Sequence, residues 1–225
     1  MTSARELKFS VGSAGAVSAL LLRPAKAHAC YVFAHGAGAG MRHASMEAIA
    51  SGLAERGIAT LRYQFPYMEK GSKRPDPPAI AHAAVRAAVA AAAEHCAGLP
   101  LMAGGKSFGG RMTSQAQAKA PLDGVKGLAF FGFPLHPAGK PSAERAAHLS
   151  DVKLPMLFLQ GTRDALAEVS LLKSVVKGLG KLATLHLTEA ADHSFHVPKS
   201  SGRNDREVLA EILDAFVAWM EKAVS

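Results

Sequence analysis

The stretch Leu99-Pro100-Leu101-Met102-Ala103-Gly104-Gly105-Lys106-Ser107-Phe108-Gly109-Gly110-Arg111 decides how this chain is read. Residues 99–103 read as a buried strand and residues 108–119 as a helix. Between them, glycine stands two residues before and two residues after Ser107, giving the pattern Gly-x-Ser-x-Gly. A serine on so tight a strand-to-helix turn is lifted clear of the sheet, and side chains at the two glycine positions would clash. The turn also leaves amide groups of the first helical turn unpaired near the hydroxyl. These amides and the helix dipole favour negative charge on a bound oxygen.

Two nucleotide-binding readings compete for the glycine-rich turns, and neither fits. His35-Gly36-Ala37-Gly38-Ala39-Gly40 follows an apolar strand at 30–34, but Met41 stands where a dinucleotide fingerprint needs its last glycine. Gly104-Gly105-Lys106-Ser107 imitates the end of a phosphate loop. There Pro100 takes the place of the leading glycine, and no aspartate ends the 125–131 strand to hold magnesium.

A serine hydroxyl is a weak nucleophile unless a histidine takes its proton and an acid orients that histidine. In sheets of this class such partners come from loops beyond the C-terminal ends of strands. Asp164 follows a strand at 155–160, within Gly161-Thr162-Arg163-Asp164. His193 follows the last strand, 183–187, within Asp192-His193-Ser194-Phe195. The order Ser107, Asp164, His193 is the order such a triad takes along the chain. Asp192 is a rival acid, but its adjacency to His193 gives poor geometry; Glu168 is a second rival, expected inside a helix. The backbone amides of Ala37 and Phe108, with Gly38 as a lesser candidate, are expected to form an oxyanion hole.

Tyr63, Tyr67, Phe133, Leu135 and Phe195, together with Phe65 and Phe108, are the candidate walls of a substrate pocket. His35 is expected to brace its loop, and Arg111 to tie the helix after Ser107 to a neighbouring loop. His193 and His196 lack a third ligand, so neither a metal nor another cofactor is expected.

Around this centre, strands and helices alternate, which predicts a mainly parallel sheet with helices on both faces. Segments 6–11 and 17–23 read as an N-terminal hairpin, and 59–63 as a further strand. Helices are expected at 45–56, 80–95, 143–148, 166–179 and 205–224. Residues 64–78 form a loop rich in proline, glycine and charge, of a length that is often functional. The segment 132–150 is too short for a large lid. No repeat or linker interrupts the 225 residues, so one domain, 1–225, is expected.

Composition narrows the classes further. Although 49% of residues are hydrophobic, no run approaches the roughly 20 apolar residues of a membrane span. The formal charge of +8 is scattered, and the densest basic group, Lys70, Lys73 and Arg74, has no interleaved aromatic residues for stacking bases. Nucleic acid is therefore not an expected partner. Cys30 and Cys96, outside any metal-like spacing, read as buried thiols in a reducing compartment. The run 11–22 loosely imitates an export signal, but Glu6 sits in its basic region and Gly12, Ser13, Gly15 and Ser18 dilute it. A cytoplasmic location is expected.

With these residues in place, the chain resembles the α/β-hydrolase superfamily, in particular its lidless, dienelactone-hydrolase-like group. It is most similar to the family of a testis-expressed hydrolase-like protein and a subunit of the NSL chromatin complex. The stretches that carry the resemblance are His35-Gly36-Ala37-Gly38, residues 105–111, Pro134-Leu135-His136-Pro137 with Gly139-Lys140-Pro141, Gln160-Gly161-Thr162-Arg163-Asp164, and Asp192-His193-Ser194-Phe195. The resemblance implies an α/β-hydrolase fold, with an eight-stranded sheet flanked by helices and no large lid domain. It also implies a serine hydrolase acting on small ester-like substrates (carboxylesters, thioesters or lactones) through Ser107, Asp164 and His193. Dienelactone hydrolases proper carry cysteine at the position of Ser107. Some relatives serve as protein-interaction subunits, so a catalytically idle scaffold is the alternative the resemblance leaves open.

Overall fold

A computed structural model describes residues 3–224. Its strands are β1 (Arg5–Ser10), β2 (Ala16–Leu22), β3 (Ala29–Ala34), β4 (Ile58–Tyr63), β5 (Leu101–Lys106), β6 (Val125–Phe131), β7 (Met156–Gly161) and β8 (Ala183–Thr188). They form one sheet in the order β1-β2-β4-β3-β5-β6-β7-β8. The hairpin strand β2 joins β4 antiparallel, and every pairing from β4 through β8 is parallel. The eight-stranded, mainly parallel sheet anticipated above is therefore the one observed.

The helices are α1 (Ala44–Glu55), α2 (Pro66–Glu69), α3 (Pro78–His95), α4 (Phe108–Lys119), α5 (Val169–Leu179) and α6 (Asp205–Val224). None is long and apolar enough to cross a membrane. The central strands are buried on both faces, which is why they read as continuous apolar runs. Along β3 the side chains alternate. Tyr31 and Phe33 pack with Met46, Leu53, Ile212 and Phe216 of α1 and α6. Cys30 and Val32 face Val85, Met112 and Leu172 of α3, α4 and α5. Helices thus cover both sides of the sheet.

Several boundaries differ from the sequence reading. Strand β5 starts at Leu101 and runs on through Gly104-Gly105-Lys106. Those glycines stay in the strand because the neighbouring backbone leaves no room for a side chain. A Cβ on Gly105 would lie 2.5 Å from the Ala34 carbonyl oxygen. The helix expected from residue 166 begins only at Val169, because residues 164–167 are held in a turn by the Asp164 carboxylate and carbonyl. The segment at 143–148 is a 3₁₀ stretch, Glu144–Asp151, and the loop 64–78 contains the short helix α2.

Candidate active site

Three strands of the sheet deliver three side chains to one point. Ser107 follows β5 directly, with φ of 51° and ψ of −116°, and is one of three non-glycine residues at positive φ among the described residues. Its neighbours make the sharp bend feasible: a Cβ on Gly109 would come within 2.6 Å of the Ala34 and His35 carbonyl oxygens. Helix α4 starts at Phe108, and Ser107 occupies its N-cap position, so the hydroxyl stands at the positive end of the helix.

His193 lies in the loop after β8. Its Nε2 is 2.9 Å from Ser107 Oγ and its Nδ1 is 2.6 Å from Asp164 Oδ2. With the proton on Nδ1, the ring donates to the carboxylate and Nε2 accepts from the serine hydroxyl. The Asp164 side chain is 0% exposed and the His193 side chain 23%, so the acid is sealed while the base reaches solvent. Asp164 is held from both oxygens: Leu166 N–H donates to Oδ1 at 2.8 Å, and the Gln160 amide donates to Oδ2. Gln160 in turn accepts from Phe133 N–H at 2.8 Å. Asp192 spends its Oδ1 on the amides of Ser194 and His196, and Glu168 meets Ser170. Neither rival acid is at His193.

Lys106, the last residue of β5, donates from Nζ to the His193 carbonyl at 2.9 Å and sits 5.4 Å from the centre of the Phe195 ring. Burial pushes its ammonium down to about 8, opposed by the charges of Asp164 and Asp192. The sequence reading gave Lys106 no role; a lysine inside an otherwise apolar strand end was the available signal.

His35 follows β3 and accepts from Phe65 N–H at Nε2, 3.0 Å, while Nδ1 meets the Gly36 carbonyl at 2.8 Å. Burial lowers its pKa to about 4, and the neutral ring braces the loop as expected. Tyr67 Oη donates to the Ala37 carbonyl at 2.8 Å and fixes the same loop from the other side. A Cβ on Gly36 would lie 3.8 Å from Ser107 Cβ, so the loop passes directly over the elbow.

A cavity of about 430 Å³ opens beside Ser107. Ala37, Phe108, Met112, Pro134 and Leu166 supply its apolar walls, and Pro75, Asp76 and Pro78 bring in the end of the 64–78 loop. The expected walls need correction. Tyr63, Phe65, Phe133 and Leu135 are fully buried and Tyr67 nearly so; they pack in the core beneath the site. Their rings meet one another, as in the Tyr63–Phe65 edge contact at 5.3 Å and the Phe130–Phe133 contact at 5.2 Å. Phe195 lines a separate cavity of about 140 Å³, with Lys106 and Leu209. Of the aromatic candidates, Phe108 alone lines the cavity beside Ser107. The expected tie through Arg111 is also corrected. The link from α4 to the 3₁₀ stretch is Ser114 Oγ to His148 Nε2, 2.7 Å, while Arg111 lies 5.9 Å from the Phe108 ring and faces the cavity.

Among the described residues no group of three or more His, Cys, Asp or Glu side chains could hold a metal ion. His196 instead pairs with Asp205 at 2.8 Å.

Comparison with known structures agrees with this architecture. An alpha-beta serine hydrolase homologue from Coxiella burnetii is 19% identical, with a TM-score of 0.76 over 97% of this chain and 98% of that one. A dienelactone hydrolase from Anabaena variabilis is 18% identical, with a TM-score of 0.77 over 98% of each chain. A serine hydrolase without lid from Xanthomonas campestris is 19% identical, with a TM-score of 0.74 over 99% of this chain and 95% of that one. At these identities the likeness is one of fold. The model of a protein family described as an alpha/beta hydrolase domain matches residues 27–221, a span that runs from the start of β3 into α6 and carries all three side chains. On that match, the chain belongs to the alpha/beta hydrolase family.

Proposed function

We propose that the chain is a serine hydrolase of small ester-like substrates, with Ser107 as nucleophile, His193 as general base and then acid, and Asp164 as the acid that orients His193. The observation that carries this reading is the continuous relay from Ser107 Oγ through His193 to Asp164, at 2.9 and 2.6 Å. An idle scaffold has no need of three aligned side chains from three separate loops.

In the first half-reaction His193 Nε2 takes the Ser107 proton as Oγ bonds to the carbonyl carbon. The bond to the leaving oxygen then breaks, and the same proton passes to that oxygen. In the second half-reaction water loses its proton to Nε2, attacks the acyl-serine, and the proton returns to Oγ as the acid leaves. The tetrahedral oxyanion formed in each half is assigned to the N–H groups of Ala37 and Phe108, residues that line the cavity with Ser107. Asp164 stays ionised throughout and stabilises the imidazolium. Carboxylesters, thioesters and lactones are the substrate bonds this mechanism suits.

The finer kinship, with the family of the testis-expressed hydrolase-like protein and the NSL complex subunit, rests on the motif set quoted from the sequence. The described residues are read as one domain, since all eight strands share one sheet. A fluorophosphonate probe tests the function. Labelling of the folded protein that disappears in Ser107→Ala supports it. Failure to label, beside a control hydrolase that labels under the same conditions, refutes it.

A further inference from the structure

The cavity beside Ser107 carries two guanidinium groups, Arg111 from α4 and Arg145 from the 3₁₀ stretch Glu144–Asp151. Four other arginines of the protein, Arg42, Arg56, Arg62 and Arg203, each meet a carboxylate within 2.7 Å. Neither Arg111 nor Arg145 has a carboxylate partner among the described residues. Arg111 Nε is buried and without any hydrogen-bond partner. Burial and then the charge of Arg145 both weigh against the Arg111 guanidinium, so the two cations repel across the cavity. The acid that also lines the cavity, Asp76, accepts from Tyr67 N–H at 2.8 Å and forms no ion pair with either. An unrelieved cation pair with an unmet donor is unfavourable in the free protein, and a bound anion would relieve both.

Position gives the anion its geometry. Arg111 is four residues after Ser107, its N–H donates to the Ser107 carbonyl at 3.1 Å, and one helical turn rises about 5–6 Å. An oxyanion between the two arginines therefore lies a few bonds from a carbonyl carbon placed at Ser107 Oγ. The apolar walls at Met112, Pro134 and Leu166 suit the short carbon chain between them.

We propose that the substrate is an ester bearing its own anionic group, which Arg111 and Arg145 hold while Ser107 faces the scissile carbonyl. This rests on the serine-hydrolase reading and narrows its substrate class to acidic esters. The shared chemistry is an oxyanion, supplied by a carboxylate or a phosphate.

The test compares two esters with one leaving group, mono-p-nitrophenyl glutarate and p-nitrophenyl butyrate. The wild-type protein is expected to favour the glutarate in kcat/KM by about tenfold or more, the effect of one good charge-assisted hydrogen bond. That preference shrinks in 0.5 M KCl and in the Arg111→Gln/Arg145→Gln double variant, through KM, and Arg145→Lys retains it. Arg145→Gln alone serves if the double variant fails to fold, since the Arg145 side chain makes no hydrogen bond among the described residues. Calorimetry on Ser107→Ala with free glutarate and with inorganic phosphate reads the anion site without turnover and separates carboxylate from phosphate. Hydrolysis of both esters with no charge preference, or a preference the arginine variants keep, overturns the proposal and leaves the triad standing. Hydrolysis of neither ester, with glutarate bound to Ser107→Ala and lost on Arg145→Gln, overturns the triad and leaves the anion site standing. Binding of neither anion to Ser107→Ala overturns the arginine site outright.

Discussion

Gln160 donates its side-chain amide to Oδ2 of Asp164, the same oxygen that meets His193 Nδ1. The amide sits at the end of β7, fully buried, and is itself fixed by Phe133 N–H. It therefore sets the rotamer of the acid without touching substrate. Gln160→Met keeps the volume and removes the donor. The expected result is a tenfold to hundredfold lower kcat, on the order of other lost orienting hydrogen bonds, with KM little changed. A kcat equal to wild type would remove Gln160 from the machinery.

The backbone of Ser107 is strained, and only the nucleophile gives a reason to keep a side chain there. A non-glycine residue in such a conformation costs about 1–3 kcal/mol. Ser107→Gly releases that strain and gives up one hydrogen bond to His193, worth about 1 kcal/mol. The expected net gain of about 1 kcal/mol raises Tm by roughly 2–4 °C in a chain of this size while ester hydrolysis is lost. Ser107→Ala loses the hydrogen bond and keeps the strain, so its Tm should not rise. Thermal melts of the two variants side by side check the difference.

Acid should weaken the fold through the buried His35 and the half-buried His148. Burial holds His35 at about 4, below its ordinary value of 6.5, and His148 at about 4 through burial and then the charges of Arg111 and His82. As pH falls through 6.5 the unfolded chain takes up these protons and the folded one does not. Stability is therefore fully present above about 6.5 and declines down to about 4, by up to about 1.4 kcal/mol per pH unit for the fully buried His35. His35→Gln should flatten part of the drop in Tm between pH 7 and 4.5. An unchanged slope would mean that the ring is not held neutral.

Lys106 acts in the opposite pH range. Its folded pKa of about 8 lies below the ordinary 10.5, so the unfolded chain holds the proton more tightly between those values. Stability attributable to this residue rises as pH climbs from about 8 towards 10.5. Lys106→Met removes that dependence, and the Tm of the wild type relative to the variant should increase from pH 7.5 to 10. The same variant loses the bond to the His193 carbonyl, so kcat for a neutral ester should fall several-fold at every pH.

Much of this was legible in the sequence. The elbow at Ser107 was readable because a strand, two spaced glycines and a helix each had independent signals. Asp164 and His193 followed from their places after strands. Asp164 was preferred to Asp192 because adjacency to His193 gives poor geometry, while the partners of Asp192, the amides of Ser194 and His196, were visible only in coordinates. Gln160 was missed, although a glutamine ending the apolar run Met156-Leu157-Phe158-Leu159 was a visible sign of a buried polar partner. The pocket walls were misjudged because hydrophobicity does not distinguish Tyr63, Phe65 or Phe133 under a site from a residue lining it. Arg111 was assigned a structural tie for a similar reason: spacing along a helix says where a side chain starts, while its partner depends on a distant segment.

The three side chains hang from β5, β7 and β8, with β6 between the first two and β8 at the sheet's edge, paired to β7 alone. No part of the sheet that lacks β8 holds the whole relay. Recovery of hydrolysis during refolding is therefore expected to lag behind recovery of helical signal, because it waits for β8, an edge strand held by one neighbour, to dock. On the proposed mechanism, the return of turnover would report the docking of that edge strand and not the formation of the helices.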